Sequence, residues 1–291
     1  MRPIQHPGPA AARRLDVVPA RITRCAVTLA AGQPLLAAVA QALAPHGTRS
    51  AVLTLHGGRL WPLAFVLPAL AKTTEHAVYF SDRFEADGPV TLGFAAVTFG
   101  QHNDRPWLHC HALWTAADGT RHCGHLLPDE AMLATPMAAT AWLLDGAEFQ
   151  VVTDVETRFS LFKPVACAAA TPLPHPALAA ARPALALRLA PNEDVCTALE
   201  TACRAHGIRQ ATVCGGVGST VGAVFDDGRV VQPFVTELLV QRGRVHTGAD
   251  GAPVAEIDVS LVDHTGGLAD GRLARGQNPV LVTFELVLVP D

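Results

Sequence analysis

An internal repeat constrains the fold of this 291-residue chain more than any other feature. Residues 34–53 and 194–213 align without a gap at a constant offset of 160 residues. The matching positions include a His-Gly pair and an arginine two residues later, namely His46, Gly47 and Arg49 in the first segment and His206, Gly207 and Arg209 in the second. Several matches at one offset indicate two copies of one structural unit.

Each aligned segment has the pattern of an amphipathic helix followed by a strand. The apolar positions Leu35, Leu36, Val39 and Leu43 are spaced i, i+1, i+4 and i+8, which is one face of a helix, and the second copy repeats them. The glycine of each His-Gly pair is typical of a left-handed helix end. Strand-like runs are predicted at 22–29, 50–55, 148–154, 157–163, 184–189, 210–214 and 280–289.

A second pair of blocks fixes the limits of the repeat. Residues 106–113 align with 253–260, and 124–126 with 271–273, both at an offset of 147. The first copy therefore has thirteen additional residues around 61–72, where we expect a longer loop or a short helix. An Ala- and Pro-rich stretch separates the copies. The predicted division is a flexible N-terminus (1–20), a first domain (21–163), a linker (164–183) and a second domain (184–291).

Three histidines of the first copy have the spacing of a metal site. His109 and His111 are two residues apart in a strand-like run, so both point to one face, roughly 7 Å apart along the strand. The turn residues 117–120 predict a hairpin that returns His125 to the neighbouring strand. Three imidazoles with an open fourth position are typical of a zinc ion that binds a ligand or a substrate.

Two other interpretations of these histidines stay open at the level of sequence. They are equally well explained as scattered residues of a chain that holds 13 histidines. Alternatively, Cys123 or His122 would complete a closed site, although strand neighbours of His125 should face away from it.

At the three aligned positions the second copy carries Glu256, Asp258 and Arg272. Two carboxylates and a guanidinium can neutralise one another without a metal ion. We therefore expect a vestigial pocket closed by a salt bridge, with an anion site built on Arg272 as the alternative.

A glycine-rich segment, Cys214-Gly-Gly-Val-Gly-Ser219, follows a predicted strand of the second copy. It lacks the Gly-Lys-Ser/Thr of a phosphate loop, and a tight structural turn is the simpler interpretation. Polar or backbone groups from this turn, from its counterpart in the first copy and from nearby loops are further pocket candidates. They are Gly216, Gly218, Ser219, His56, Arg59, Asp82, Arg83, Glu85 and Arg105, for which solvated loop positions are the alternative.

Composition narrows the class of protein. With 49% hydrophobic and 16% charged residues the chain is typical of a globular protein, and a net charge of −4 argues against a nucleic-acid partner. The seven cysteines include no Cys-x-x-Cys pair, so we expect reduced thiols and a cytoplasmic protein. No signal peptide and no uninterrupted apolar run of about 18 residues is evident, which argues against a membrane span.

Taken together, these pieces resemble the PPC (plants and prokaryotes conserved) domain family. The resembling motifs are a Leu-x-x-Gly segment before the helix, the helix end His-Gly-Ile-Arg, Gly216-Val-Gly-Ser219, Leu108-His-Cys-His111 and Gly124-His-Leu-Leu127. The resemblance implies an α/β fold of the α+β type in two tandem modules, each a mostly antiparallel sheet with one main helix. It also implies assembly as a homo-oligomer, with a trimer favoured, and zinc at His109, His111 and His125.

Plant members of this family accompany AT-hooks, and prokaryotic members often carry a provisional DNA-binding label. Arg242-Gly-Arg244 has the centre of a hook but lacks its flanking prolines and lies in a strand-like run, so we reject it. The second copy lacks the histidines, and the first lacks the first glycine of the Gly-x-Gly-Ser turn. We therefore expect the two copies to contribute different parts of a composite site.

The sequence supports two functions. The first is a protein with one zinc, or another divalent ion, per chain that binds or transforms a small molecule at the three histidines. The second is a transcription-associated regulatory or scaffolding module with a structural zinc. The sequence leaves open whether the protein is an enzyme.

Overall fold

The computed structural model describes residues 3–168 and 181–291. In the first half, one α-helix, α1 (Leu35–Leu43), lies among twelve strands. These are β1 (Leu15–Leu29), β2 (Ala51–His56), β3 (Arg59–Val66), β4 (Pro68–Leu70), β5 (Val78–Phe80), β6 (Phe84–Glu85), β7 (Val90–His102), β8 (Arg105–Thr115), β9 (Arg121–Leu133), β10 (Met137–Asp145), β11 (Ala147–Thr153) and β12 (Ser160–Ala166).

The second half is shorter and contains α2 (Val195–Ala205) and six strands. These are β13 (Arg182–Leu189), β14 (Ala211–Val224), β15 (Val230–Thr247), β16 (Pro253–Asp263), β17 (Leu268–Arg272) and β18 (Val280–Pro290). Both helices begin where the repeat predicts, and Gly47 and Gly207 follow them in the left-handed conformation, with φ of 65° and 66°.

One sheet continues through both halves, and its strand order shows the repeat directly. The order is β17-β16-β15-β14-β18-β13 in the second half, continued by β1-β10-β2-β7-β8-β9-β3-β6 in the first. Counted outward from the β13–β1 pair, six strands of each half follow the same order along the chain. The register agrees too, because His111 is the partner of His125 and Asp258, 147 residues on, is the partner of Arg272.

The two halves pack face to face, with a helix on each outer side. α1 packs on β1, β8 and β9 over one apolar cluster, and α2 packs on β16 over another. Between the halves lie three further apolar clusters to which both copies contribute, for example Val52 with Cys214, Phe94 with Leu239 and Val78 with Val235. Burial of both faces of the sheet explains why these strands are continuous apolar runs.

A buried ionic network crosses the seam between the halves. Asp154, in the turn after β11, accepts hydrogen bonds from Arg188 of β13 and from Thr157, and forms an ion pair with Lys163. The side chains of Asp154 and Arg188 are each only 1% exposed, so each charge needs an oppositely charged partner nearby.

The predicted α/β class is wrong in one respect, because the described chain is mostly β. The antiparallel sheet is present, but strands rather than helices provide most of the packing. The additional residues of the first copy, around 61–72, form strands β3 and β4 instead of a loop or helix. Their exposed and buried positions alternate too irregularly to predict a strand.

The expected turn at Cys214–Ser219 is also absent. This segment runs within β14, where Gly215 and Gly216 have φ of 66° and 124° and the pairing register shifts. The glycines therefore form a β-bulge, which accommodates positive φ inside a strand.

The N-terminal residues differ from the predicted flexible segment. Residues 15–20 belong to β1, and residues before them are held by hydrogen bonds to distant parts of the chain. Ile4 exchanges two with Asn192, and the Arg14 guanidinium bonds Glu156. Alanine- and proline-rich composition alone gave no sign of these tertiary partners.

The ends of the predicted linker lie in strands, since β12 extends to Ala166 and β13 begins at Arg182. Most of that linker is outside the described residues, and the proposed domain limits stay a prediction. All seven cysteines lie in the described part and carry free thiols. Neither α-helix in this part has the length and hydropathy that a membrane span requires.

Candidate metal centre

The hairpin of β8 and β9 brings the three predicted histidines together. His109 and His111 point to the same face of β8, and His125 of β9 is the Cα partner of His111. One potential ligand atom from each residue lies within 4.8 Å of the others. Cys110 points to the opposite face, into the apolar cluster beneath α1, as strand alternation predicts.

The second half fixes the orientation of two of these rings. His109 Nδ1 lies 3.0 Å from Glu285 Oε2, and His111 Nδ1 lies 2.9 Å from the main-chain oxygen of Leu238. Each Nδ1–H can therefore donate, which leaves Nε2 with its lone pair, and the two Nε2 atoms lie 3.1 Å apart. Metal-bound histidines are oriented in this way by carboxylate and carbonyl acceptors.

Electrostatics distinguish His109 from its two neighbours. Burial lowers the pKa of His109, but the charge and hydrogen bond of Glu285 outweigh it and raise the pKa overall. Burial and the charge of His109 hold the pKa of His111 and of His125 well below the ordinary value. His111 and His125 are therefore neutral and available as ligands.

The spacing of two ring nitrogens and two buried polar atoms without hydrogen-bond partners both fit a divalent metal ion in this cluster. Two zinc–nitrogen bonds of about 2.05 Å at a tetrahedral angle place the nitrogens about 3.3 Å apart, close to the separation of the two Nε2 atoms. His125 Nδ1 is buried without a hydrogen-bond partner, and so is Glu237 Oε2 beside it. A cation would satisfy these atoms, whose burial without a partner is otherwise unfavourable.

Glu237 of β15 is the carboxylate that faces the histidines most directly. Its Oε2 lies 3.9 Å from His111 Nε2, and its Oε1 lies 3.9 Å from His125 Nδ1. Burial raises the pKa of this carboxyl to about 8, although the charge of His109 opposes the shift. A metal ion would favour the ionised form.

A cavity of about 340 Å³ adjoins the histidines, and both halves of the chain line it. From the first half come the three histidines and an aromatic group at β5 and the turn before β12, comprising Tyr79, Phe80 and Phe159. From the second half come Gly218 and Ser219 of β14, Thr236 and Glu237 of β15 and the segment of β18 that ends at Glu285. This site is the composite that the repeat led us to expect.

A family model matches the second half of the chain, which supplies Glu237 and Glu285 to the site. Residues 179–290 match the model of the Plants and Prokaryotes Conserved (PCC) domain. The second half is a PCC domain. The first half repeats the strand order of this PCC domain and its pairing across the corresponding hairpin. No curated protein matches the chain.

Several solved structures are similar to about half of the chain. One is a metal-containing protein of Archaeoglobus fulgidus, at 17% identity and a TM-score of 0.40, with 48% of this chain and 92% of that chain covered. A plant- and prokaryote-conserved protein of Pyrococcus horikoshii has 13% identity and a TM-score of 0.39, with coverages of 55% and 100%. A Ralstonia eutropha protein provisionally named as DNA-binding has 14% identity and a TM-score of 0.37, with coverages of 47% and 89%.

Two of the glycine-segment candidates lie at the cavity. Gly218 and Ser219 of the PCC domain line it, whereas Gly216 packs against Val240 and does not. A Cβ on Gly218 would lie 2.5 Å from the main-chain oxygen of Thr283, so the close approach of β14 and β18 requires glycine. The Gly-x-Gly-Ser motif therefore shapes the wall of the cavity from within a strand and does not form a phosphate-loop turn.

The structure places the other pocket candidates of the first half away from the cavity wall. His56 ends β2 and contacts Phe94, Arg59 begins β3, and Arg105 begins β8, all three exposed. Arg83 is near the mouth, where it forms ion pairs with Glu130 and Glu85. Asp82 forms an exposed ion pair with Lys72. These side chains lie at strand ends and in loops, which explains why spacing alone could not place them.

The PCC domain contains the predicted ion pair at the positions that correspond to the histidines. Arg272 lies 2.9 Å from Asp258 and 3.4 Å from Glu256, which also pairs with Arg244. Asp258 and Arg272 line a separate groove that shares no residue with the wall of the cavity at the three histidines. Arg272 is compensated there by both carboxylates, which weakens the alternative of an anion site.

Sequence reasoning missed Glu237, Glu285 and the aromatic group. Glu285 is the single charged residue of β18 and Glu237 is the single acidic residue of β15, and this was the available signal. Tyr79, Phe80 and Phe159 gave no such signal, because their approach to the site depends on how the two halves fold together.

Proposed function

We propose that this protein binds one divalent metal ion, zinc in the first instance, at His109, His111 and His125, and uses it to bind or transform a small molecule. The observation that carries the proposal is the convergence of the three imidazoles at the end of a cavity, with two of them anchored by the second half. A structural zinc is usually enclosed by four Cys or His ligands. Here neither His122 nor Cys123 belongs to the cluster. His122 stacks on Trp114, and Cys123, although it lies on the same face of β9 as His125, packs among apolar residues.

Each residue of the site would have a distinct task. The three imidazoles would hold the ion, which supplies a Lewis acid when bound. Glu285 would keep His109 in the tautomer that exposes Nε2. Glu237, with its buried carboxyl 3.9 Å from two of the imidazoles, is best placed to hold a proton of the small molecule. Phe80, whose ring lies edge-on to His125 at 5.1 Å, would limit the access of water.

The test is the metal content of the purified full chain, measured by elemental analysis. We expect about one ion per chain in the wild type and almost none in His109→Ala/His111→Ala. His122→Ala is the matched control, because it removes an imidazole from β9 that does not face the cluster. Circular dichroism of each variant would verify that the sheet is intact.

Two results would contradict the proposal. Absence of metal in the wild type after zinc is supplied would remove its basis. Spectroscopy of the cobalt-substituted protein provides the second result. Four protein ligands, with Glu237 as the fourth and no exchangeable position, would favour the regulatory or scaffolding module with a structural metal.

A further inference from the structure

Apart from the histidines, the ionisable side chains that line the cavity are all acidic. Its charged lining residues other than histidine are the carboxylates Asp129, Glu130, Glu237 and Glu285, and no lysine or arginine is among the described residues that form the wall. Two arginines touch lining residues from outside. Arg83 forms ion pairs with Glu130 and Glu85, and Arg188 binds Asp154 while its Nε donates to Thr283. A phosphorylated or carboxylated molecule would find no lysine or arginine in this wall, and an anionic group beside the metal ion would also face the carboxylates of Glu237 and Glu285.

Three hydroxyl groups of the wall, those of Ser219, Thr236 and Thr283, already have partners within the protein. Ser219 Oγ accepts a hydrogen bond from the main-chain N–H of Val282, and Thr236 Oγ1 donates to the main-chain oxygen of Thr220. Thr283 Oγ1 accepts from Arg188. A sugar-like molecule with many hydroxyls needs several free partners at fixed positions, and these residues are committed to the protein itself.

Aromatic rings form the side of the cavity near the solvent. Tyr79 and Phe159 are stacked, with ring centroids 5.5 Å apart and an interplanar angle of 26°. Phe80 lies edge-on to Phe159 at 5.9 Å and edge-on to His125 at 5.1 Å. The rings therefore lead from the half-exposed Tyr79 to the histidines.

The position of Phe159 is set by the turn that carries Asp154. The main-chain N–H of Asp154 donates to the oxygen of Phe159, and the N–H of Phe159 donates to Thr157 Oγ1. Thr157 is itself bound by the Asp154 carboxylate. A rigid, apolar, aromatic surface of this kind suits a flat ring.

We propose that the cavity binds a small, uncharged molecule with a flat aromatic ring, whose ring packs against Phe80 and Phe159 and whose donor atom faces the three histidines. A volume of about 340 Å³ is at the lower end of ligand cavities and limits the molecule to one or two rings. This inference rests on the proposed metal function, because the donor atom needs the ion as its partner.

The test uses isothermal titration of the zinc-loaded full chain with three probes. Imidazole has a donor atom alone, 4-phenylimidazole adds a ring, and phenyl phosphate has the ring with an anionic head. We expect 4-phenylimidazole to bind about tenfold more tightly than imidazole, and phenyl phosphate to bind at least about tenfold more weakly than 4-phenylimidazole. In Phe159→Leu the preference for 4-phenylimidazole over imidazole should fall about three- to fivefold, because Phe80 still contacts the ring.

Phe84→Leu is the matched control, since Phe84 is an exposed aromatic residue outside the cavity. Tyr79→Ala, at a half-exposed position, replaces Phe159→Leu if the latter does not fold. Zinc content is measured for every variant. Equal affinity for the two imidazoles, or tight binding of phenyl phosphate, with one zinc per chain would overturn the ring proposal and leave the metal site standing. A protein that takes up no zinc would overturn both.

Discussion

His109 Nδ1 lies 3.0 Å from Glu285 Oε2, so a carboxylate of the second half orients a histidine that the first half contributes to the candidate metal centre. The two residues are 176 positions apart in the chain. The second copy has lost its own histidines, yet through this contact it takes part in the site that the first copy retains.

Glu285→Gln should weaken metal binding by about 10- to 100-fold, because the variant loses the negative charge that orients His109 and strengthens it as a ligand. Competition with a chromophoric chelator measures the affinity. Glu256→Gln, which changes an ion pair outside the wall of the cavity, serves as the control. Unchanged affinity in Glu285→Gln would show that this carboxylate has no part in metal binding.

Asp154→Asn should lower the free energy of unfolding by about 3 kcal/mol, because Arg188 would be left buried without its anion. Urea unfolding monitored by fluorescence gives the value. Asp82→Asn, at an exposed ion pair, should change it by less than about 1 kcal/mol. A small loss in Asp154→Asn would mean that Asp16 compensates Arg188 sufficiently.

The same carboxylate should make the fold sensitive to acid. Burial raises the pKa of Asp154, but the hydrogen bond from Thr157 and the charges of Arg188 and Lys163 outweigh it and lower the pKa overall. A group with a lowered folded pKa stabilises the protein above its unfolded pKa, near 3.9, and this contribution is lost as the pH falls through the folded value. The wild type should therefore lose stability below about pH 4 more steeply than Asp154→Asn. Parallel curves from unfolding at stepped pH would contradict this.

Asp194→Ala should destabilise the second half by about 2–3 kcal/mol. The Asp194 carboxylate caps α2 by accepting from the N–H of Thr197, and also accepts from the N–H groups of Gly276 and Asn278. Thermal unfolding measures the loss, with Asp227→Ala in an exposed turn as the control. Equal melting temperatures for the two variants would exclude this bracing role.

Gly218→Ala should cost about 2 kcal/mol or more, since the added Cβ would collide with the main chain at Thr283 and Phe284. Gly88→Ala introduces the same methyl group into open space and should be close to neutral. Calorimetry of both variants, with metal content recorded, separates a loss of stability from a loss of the site.

The three histidines could be predicted because local rules decide their positions. Strand alternation places His109 and His111 on one face, and a short hairpin returns His125 beside them. Glu237 and Glu285 could not be placed in the same way, because they reach the site only after the two halves pack together. The alternation of apolar and polar residues along a strand does not predict how two sheet faces pack against each other.

The fold was predictable to a similar depth. The helix pattern around Leu35 and its copy at Val195 located both α-helices correctly, but these are short, and strands dominate the class. The glycines at Gly215 and Gly216 suggested a turn, since positive φ is commoner there than in a bulge within a strand. The expected trimer depends on contacts between chains, which the structure of one chain does not test, and it stays a prediction.

The pairing of β1 with β13 has a consequence for how the site is reached. An antiparallel ladder from Leu15 and Leu189 to Ile22 and Arg182 joins the two halves edge to edge. Domains that clasp a ligand by rocking on a hinge need a yielding connection, and a hydrogen-bonded ladder is not one. A small molecule would therefore reach the cavity past side chains at its rim, which include the half-exposed Tyr79. Substitutions at this rim could therefore change which molecules enter the cavity and leave the three histidines at its other end unchanged.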